Sequence, residues 1–180
     1  MRIVVVGSSG SGKTTMAKRL ARELDLRAIE LDAINWQPNW YDLSQQDPEE
    51  FKQRVEIATR GDRWSSDGNY NILRPILWTR ATHLVWLDYA HHIILRRVIW
   101  RSVKRALDRR ELWPGTGNRE RVSEWLRKDH PIQLVRQGWA GKRERIASRL
   151  AEPAAAHLKV FRLSHPREAE ELAARLRATP

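Results

Sequence analysis

The stretch "GSSGSGKTT", residues 7–15, follows directly on the apolar run Ile3-Val4-Val5-Val6. Gly7-Ser8-Ser9-Gly10-Ser11-Gly12-Lys13-Thr14 meets the pattern G-x-x-x-x-G-K-[ST] at every required position. Glycines let such a backbone turn so that successive N–H groups point inward at phosphate oxygens. The positive end of the helix that follows adds to that field. Lys13 is expected to reach the β- and γ-phosphates and the Thr14 hydroxyl to ligate Mg²⁺, with Thr15 completing the triphosphate contacts. The setting agrees with the spelling, since the loop lies between a β-branched strand pattern and the helical spacing of Met16, Ala17, Leu20 and Leu24. A nucleoside triphosphate is the expected ligand, and the open question is what receives the phosphate.

Beyond the loop, short apolar runs alternate with helical patterns. Strands are expected at 2–6, 27–31, 63–67, 82–87 and 158–163. Helices are expected at 14–24, 47–60, 72–80, 91–109, 120–150 (broken near Pro131 and Gly138–Gly141) and 166–177. Residues 34–46, "INWQPNWYDLSQQ", read as a polar and aromatic loop, and 112–118, "LWPGTGN", as another. Alternation of this kind implies α/β architecture with a parallel sheet covered on both faces. With no repeat or linker, the 180 residues read as one domain carrying a helical excursion.

There is no cysteine, which excludes disulfides, thiolate metal sites and cysteine nucleophiles and fits a reducing cytoplasm. No apolar run is long enough for a signal segment or a membrane span, so a soluble cytoplasmic protein is expected. The net charge of +11 suits an anionic partner, whether nucleic acid, nucleotide or phosphorylated metabolite. The nine tryptophans are scattered and read as core or pocket wall.

No N-K-x-D guanine-recognition stretch and no D-x-x-G switch occur, so a regulatory GTPase is not expected. Three features point instead to phosphoryl transfer to a small acceptor. Asp32 closes the second strand, on the side where open α/β sheets bind ligands, and a carboxylate there can orient an acceptor hydroxyl and take its proton. The plainer alternative is a turn aspartate bonded to its own backbone. Asp67, after the third strand, can hold Mg²⁺ through water, and Gly68 allows close backbone approach. Arg97, Arg101 and Arg105 recur every four residues with Lys104 beside them, and Arg109, Arg110, Arg119 and Arg121 flank "LWPGTGN". Arginines so placed can stabilise a transferring phosphoryl group, in a lid spanning about 105–121. A solvated basic face is the alternative.

Together these residues resemble the adenylate-kinase-like branch of P-loop kinases, and within it the bacterial DNA topology modulation proteins. The stretches that carry the resemblance are 7–14, "LDAINWQPNW" (31–40), "DRWSSDGNY" (62–70), "LVWLD" (84–88), "ELWPGTGNRE" (111–120) and "LSHPREAEEL" (163–172). The resemblance implies a three-layer P-loop sandwich with a five-stranded parallel sheet ordered 2-3-1-4-5, a closing lid, and ATP with Mg²⁺. It also places Ser164, His165 and Pro166 beside the adenine. Asp67-Gly68 corresponds to the aspartate–glycine of adenylate kinases, but Asn69, Tyr70 and Asn71 replace the phenylalanine, proline and arginine that follow there, which puts AMP in doubt as acceptor. Asp32, Trp36, Gly68 and Tyr70 are the residues expected at the acceptor, in an acceptor-side region of about 33–62. Trp36, Trp40 and Tyr41 form either an aromatic wall or a small local core. The leading expectation is an ATP- and Mg²⁺-dependent phosphotransferase. The rival is a nucleotide-regulated protein bound to nucleic acid, for which no DNA-binding module is legible.

Overall fold

The computed structural model describes residues 1–108, 110–128 and 130–177. Its strands are β1 (Arg2–Gly7), β2 (Arg27–Glu30), β3 (Trp36–Gln37), β4 (Tyr41–Asp42), β5 (Trp64–Asp67), β6 (His83–Leu87) and β7 (Lys159–Leu163). Its helices are α1 (Lys13–Glu23), α2 (Leu31–Asn35), α3 (Leu43–Gln46), α4 (Pro48–Ala58), α5 (Arg74–Arg80), α6 (His91–Asp108), α7 (Pro131–Leu150) and α8 (Leu172–Arg177). Five strands form one parallel sheet in the order β2-β5-β1-β6-β7, and β3 and β4 pair antiparallel as a separate hairpin. With the hairpin strands left out of the count, that is the expected 2-3-1-4-5.

The side-chain period of a strand explains the layering. Val4 and Val6 of β1 enter one core with Leu84 and Trp86 of β6, covered by Phe51 and Val55 of α4 and Leu77 of α5. Ile3 and Val5 enter the other with Val85 and Leu87, covered by Met16 and Leu20 of α1, Ile94 and Val98 of α6 and Leu172 of α8. A strand buried on both faces must be apolar throughout, which is why residues 3–6 read as one run. Helix α7 reaches both cores, through Val135 near its start and Ile146 near its end.

Four boundaries differ from expectation. Residues 34–46 are not all loop, because they include the end of α2, the β3–β4 hairpin and all of α3. Asp32 accordingly lies in the first turn of α2 rather than at a strand end. The long helix starts only at Pro131, capped by the His130 side chain, and runs unbroken through Gly138 and Gly141, because packing against α6 and both cores outweighs glycine's poor helix propensity. The stretch 120–130 holds only the 3₁₀ turn Val122–Glu124. The C-terminal helix is split into a 3₁₀ turn, Pro166–Ala169, and α8.

Gly68 ends β5 with φ of +126°, and a Cβ there would lie 2.5 Å from Leu31 Cδ1, a side chain with no exposed surface. Both the backbone and the neighbour resist a side chain. Gly68→Ala is expected to cost about 1–3 kcal/mol. At about 2–4 °C per kcal/mol for a chain this size, thermal melting should register a drop of several degrees.

Candidate active site

The loop between β1 and α1 turns at Gly10 (φ +78°) and Gly12 (φ +95°), and a Cβ on Gly10 would come within 2.9 Å of Val98 Cβ. The loop therefore lies against α6, close enough that only glycine fits. Gly12 is the N-cap of α1; no side chain caps it and no acid occupies the first turn. Helix α4 is the contrast, since Asp47 caps it and Glu49 and Glu50 follow. The α1 N-terminus thus keeps free N–H groups and an unneutralised dipole, which suits an external anion. Ser11 Oγ is buried without a partner, a further donor left for a ligand. Lys13 Nζ donates to the Ser8 carbonyl at 3.1 Å, and Arg97 donates to the Ser11 carbonyl at 3.3 Å. Burial pushes the Lys13 ammonium down from its ordinary value, against the pull of Asp32 and Asp67. A bound triphosphate would compensate that buried charge.

Asn69 holds the loop from the side of β5. Its Oδ1 accepts from Gly7 N at 3.3 Å, and its Nδ2 donates to the Gly7 carbonyl. Next to it, Thr14 Oγ1 donates to Asp67 Oδ2, while Asp67 Oδ1 accepts from Leu31 N at 2.9 Å. Burial raises the Asp67 carboxyl, and those two hydrogen bonds oppose the rise. A hydroxyl and a carboxylate side by side at the phosphate cradle are hard oxygen donors that fit Mg²⁺, which takes one or two protein oxygens and fills its octahedron with phosphate and water. Among the described residues no group of three or more His, Cys, Asp or Glu is placed to hold a metal, so an all-protein cage is not on offer.

In the same cleft, Asp32 Oδ1 accepts from the Tyr70 hydroxyl at 2.7 Å. Asp32 is thus tied to a distant side chain and not to its own backbone. Burial, reinforced by the Asp32 charge, pushes the Tyr70 phenol far up, so it stays protonated and keeps donating. The Tyr70 ring meets Phe51 edge-on at 4.9 Å. Trp36, Trp40 and Trp113 pack together with centroids 5.5, 6.0 and 6.1 Å apart. The tryptophans are at once a local cluster and part of the cleft wall. Tyr41 is half exposed and outside that wall. Asn118 fastens the 112–118 loop to the hairpin: its Oδ1 accepts from Trp40 N at 2.9 Å and its Nδ2 donates to the Gln37 carbonyl at 3.0 Å. Trp40 is held at φ +57°, a conformation a large side chain rarely adopts, by these contacts.

The cations converge from two helices. Arg97, Arg101 and Arg105 of α6 line the cleft. Burial, with Arg105 beside it, lowers Arg101 to about 10, and its Nε is buried without a partner. Lys142 of α7 joins them, pushed down to about 8 by burial and by Lys13 and Arg145, against Asp32. Sequence reading missed Lys142, because a helix taken as broken at Gly138–Gly141 presents no face to assign. It also missed His130, whose Nε2 lies 3.0 Å from Glu120 Oε1 while its Nδ1 accepts from Ile132 N, fixing the start of α7 to the loop segment.

Some expected residues lie elsewhere. Arg119 is exposed and outside the cleft wall, since Asn118 and Glu120 on either side of it turn inward. Arg109 lies outside the described residues. Pro166 lines the cleft, but His165 does not; its Nδ1 accepts from Arg167 N and Glu168 returns the bond to its backbone, a capping box. Thr15, Trp36, Gly68 and Tyr70 all line the same cleft as Lys13, Thr14, Asp32 and Asp67. Its volume is about 1520 Å³, larger than the ~300–1,000 Å³ of a single-ligand pocket and so roomy enough for two substrates.

The sequence model of the ATPase family associated with various cellular activities (AAA) matches residues 3–106, from β1 through most of α6. No curated protein matches the chain. Among solved structures, shikimate kinase from Acinetobacter baumannii in complex with shikimate is 19% identical, with a TM-score of 0.55 over 97% of this chain and 89% of that one. A gluconokinase from Sinorhizobium meliloti is 18% identical, with a TM-score of 0.53 over 97% and 92%. Shikimate kinase from Aquifex aeolicus is 13% identical, with a TM-score of 0.52 over 99% and 95%. At these identities what is shared is the fold, the α/β P-loop kinase architecture.

Proposed function

This chain belongs to the ATPase family associated with various cellular activities, and we propose that it is an ATP- and Mg²⁺-dependent kinase of a small hydroxylated acceptor. One observation carries the reading: the phosphate cradle with Lys13 and the Asp32 carboxylate, aligned by the Tyr70 hydroxyl, line one cleft. In the reaction, the acceptor oxygen forms a bond to the γ-phosphorus as the bond from that phosphorus to the β,γ-bridging oxygen breaks, releasing ADP. Asp32, aligned by Tyr70, takes the hydroxyl proton. Lys13 and the α1 N-terminus stabilise charge on the phosphoryl oxygens, and Arg101 and Arg105 close the site on its far side. Thr14 and Asp67 would hold Mg²⁺, which would supply neutralisation of the phosphate charge. The segment 105–121 serves as the lid, and the cradle, Pro166 and Ala169 bound the nucleotide.

The likeness to shikimate kinase and gluconokinase supports the small-molecule reading, because both names denote kinases of hydroxylated metabolites. Within the P-loop kinases we place the chain with the DNA topology modulation proteins, on the stretches 62–70 and 111–120. The test is ADP formation against a panel of sugars, hydroxy acids, nucleosides and nucleotides. ADP release that depends on one acceptor class supports the kinase. Release indifferent to every acceptor refutes it and favours the second reading, a nucleotide-switched nucleic-acid binder.

That second reading draws on Arg110, Arg119 and Arg121, all exposed, and on the net charge of +11. It predicts that log K for duplex DNA falls by about 0.9 per phosphate contact as log salt rises. Binding insensitive to salt would dispose of it.

A further inference from the structure

We propose that Asn69 is a positioning residue for phosphoryl transfer: it holds the phosphate cradle to the same turn that aligns Asp32, and so fixes where the transferring group stands relative to the acceptor oxygen. This rests on the kinase reading and adds to it a residue that acts through the backbone. The need for it arises where the sheet ends. β1 pairs with β5 only as far as Val5 and Asp67, and Gly68 N closes that ladder by donating to the Val5 carbonyl at 3.2 Å. Gly7 stands two residues further along, so its N–H and C=O turn to the same side, beyond the last residue of β5. A peptide left unpaired there would be costly. The Asn69 side chain takes the place of the missing strand, since its Oδ1 accepts from Gly7 N at 3.3 Å and its Nδ2 donates to the Gly7 carbonyl. An amide side chain offers one peptide both a donor and an acceptor at once. Gly7 is also closely packed, with Leu87 O and Ser11 Oγ each 2.8 Å from where a Cβ would stand, so a displacement there passes into the loop.

The turn that carries Asn69 fastens the rest of the site as well. Asp67 accepts from the Thr14 hydroxyl and from Leu31 N, and Tyr70 donates to Asp32 at 2.7 Å. Gly7 opens the cradle from the end of β1, whereas Asp32 sits in the first turn of α2. Two adjacent side chains, Asn69 and Tyr70, therefore join the element that holds the phosphate donor to the carboxylate that would take the acceptor's proton. Misplacing reacting atoms by about 1 Å can cost about 10²-fold in rate, so a link this short governs turnover.

Asn69→Gln separates this role from simple satisfaction of the Gly7 peptide. Glutamine keeps the amide but sets it one methylene further from the turn. The affinity for a non-hydrolysable ATP analogue should hold within about threefold, while kcat with the acceptor selected by the ADP assay falls about 10- to 100-fold. A rate within about threefold of wild type, whatever the melting temperature, would overturn the inference. So would an analogue affinity that drops as far as the rate, because Asn69 would then shape the cradle alone. A double-mutant cycle of Asn69→Ser with Tyr70→Phe gives a second measurement, which decides the matter where the Gln variant does not fold. Either loss loosens the same link, so the double variant should be slower than the slower single variant by no more than about threefold. Losses that multiply would overturn the inference. If the wild-type protein makes a phosphate ester and Asn69→Gln keeps its rate, the kinase reading stands and only the positioning role falls. Wild-type ADP release indifferent to every acceptor removes both.

Discussion

Lys13→Ala is expected to slow phosphoryl transfer by about 10³-fold or more, a loss of roughly 4 kcal/mol of transition-state stabilisation, while the protein still folds. The two halves of this expectation have one cause. Lys13 is the cation embedded in the phosphate cradle, and its interaction strengthens as charge develops on the transferring group. In the empty protein the same burial disfavours its charge, which is why its ammonium is pushed down. Removing it takes away a desolvated cation and one hydrogen bond to the Ser8 carbonyl. Thermal melting should therefore stay close to wild type while turnover collapses. A mutant that unfolds would mean that the cradle depends on Lys13 for its shape.

The second large effect is expected at Asp32. Asp32→Asn preserves size and an oxygen that can accept from the Tyr70 hydroxyl, but it cannot take a proton. The turnover number should fall by about 10²–10⁴-fold, with the KM for ATP little changed. Tyr70→Phe removes only the alignment and should cost about tenfold. The ordering matters more than either value. A turn aspartate would give the reverse pattern, a stability loss with kinetics intact, and the hydrogen bond from Tyr70 already sets Asp32 apart from that role. Steady-state kinetics of the two mutants, with melting curves alongside, checks both points.

The parts of the site legible in the sequence are those whose chemistry is local. Residues 3–14 declare strand, cradle and helix in one reading, because a doubly buried strand needs a continuous apolar run and a phosphate loop needs its glycines at fixed positions. β5 was faint for the opposite reason. Ser65 and Ser66 carry no apolar signal, yet both are fully buried between β1 and β2, so tertiary pairing overrides composition. The β3–β4 hairpin was illegible because its strands are two residues each and its turn places Trp40 at positive φ, which only the contacts with Trp36, Trp113 and Asn118 make tolerable. Lys142 depended on knowing that α7 continues through two glycines. Arg119 looked like its neighbours in a basic stretch, and only the inward turn of Asn118 separates it from the cleft.

The central claim is that the γ-phosphoryl group goes to an acceptor and not to water. Phosphorus NMR of the protein with ATP, Mg²⁺ and each candidate acceptor observes its destination directly. The account predicts a new phosphate ester with one acceptor class, formed in step with ADP and absent with Lys13→Ala. ADP and free inorganic phosphate as the only products with every acceptor would contradict it.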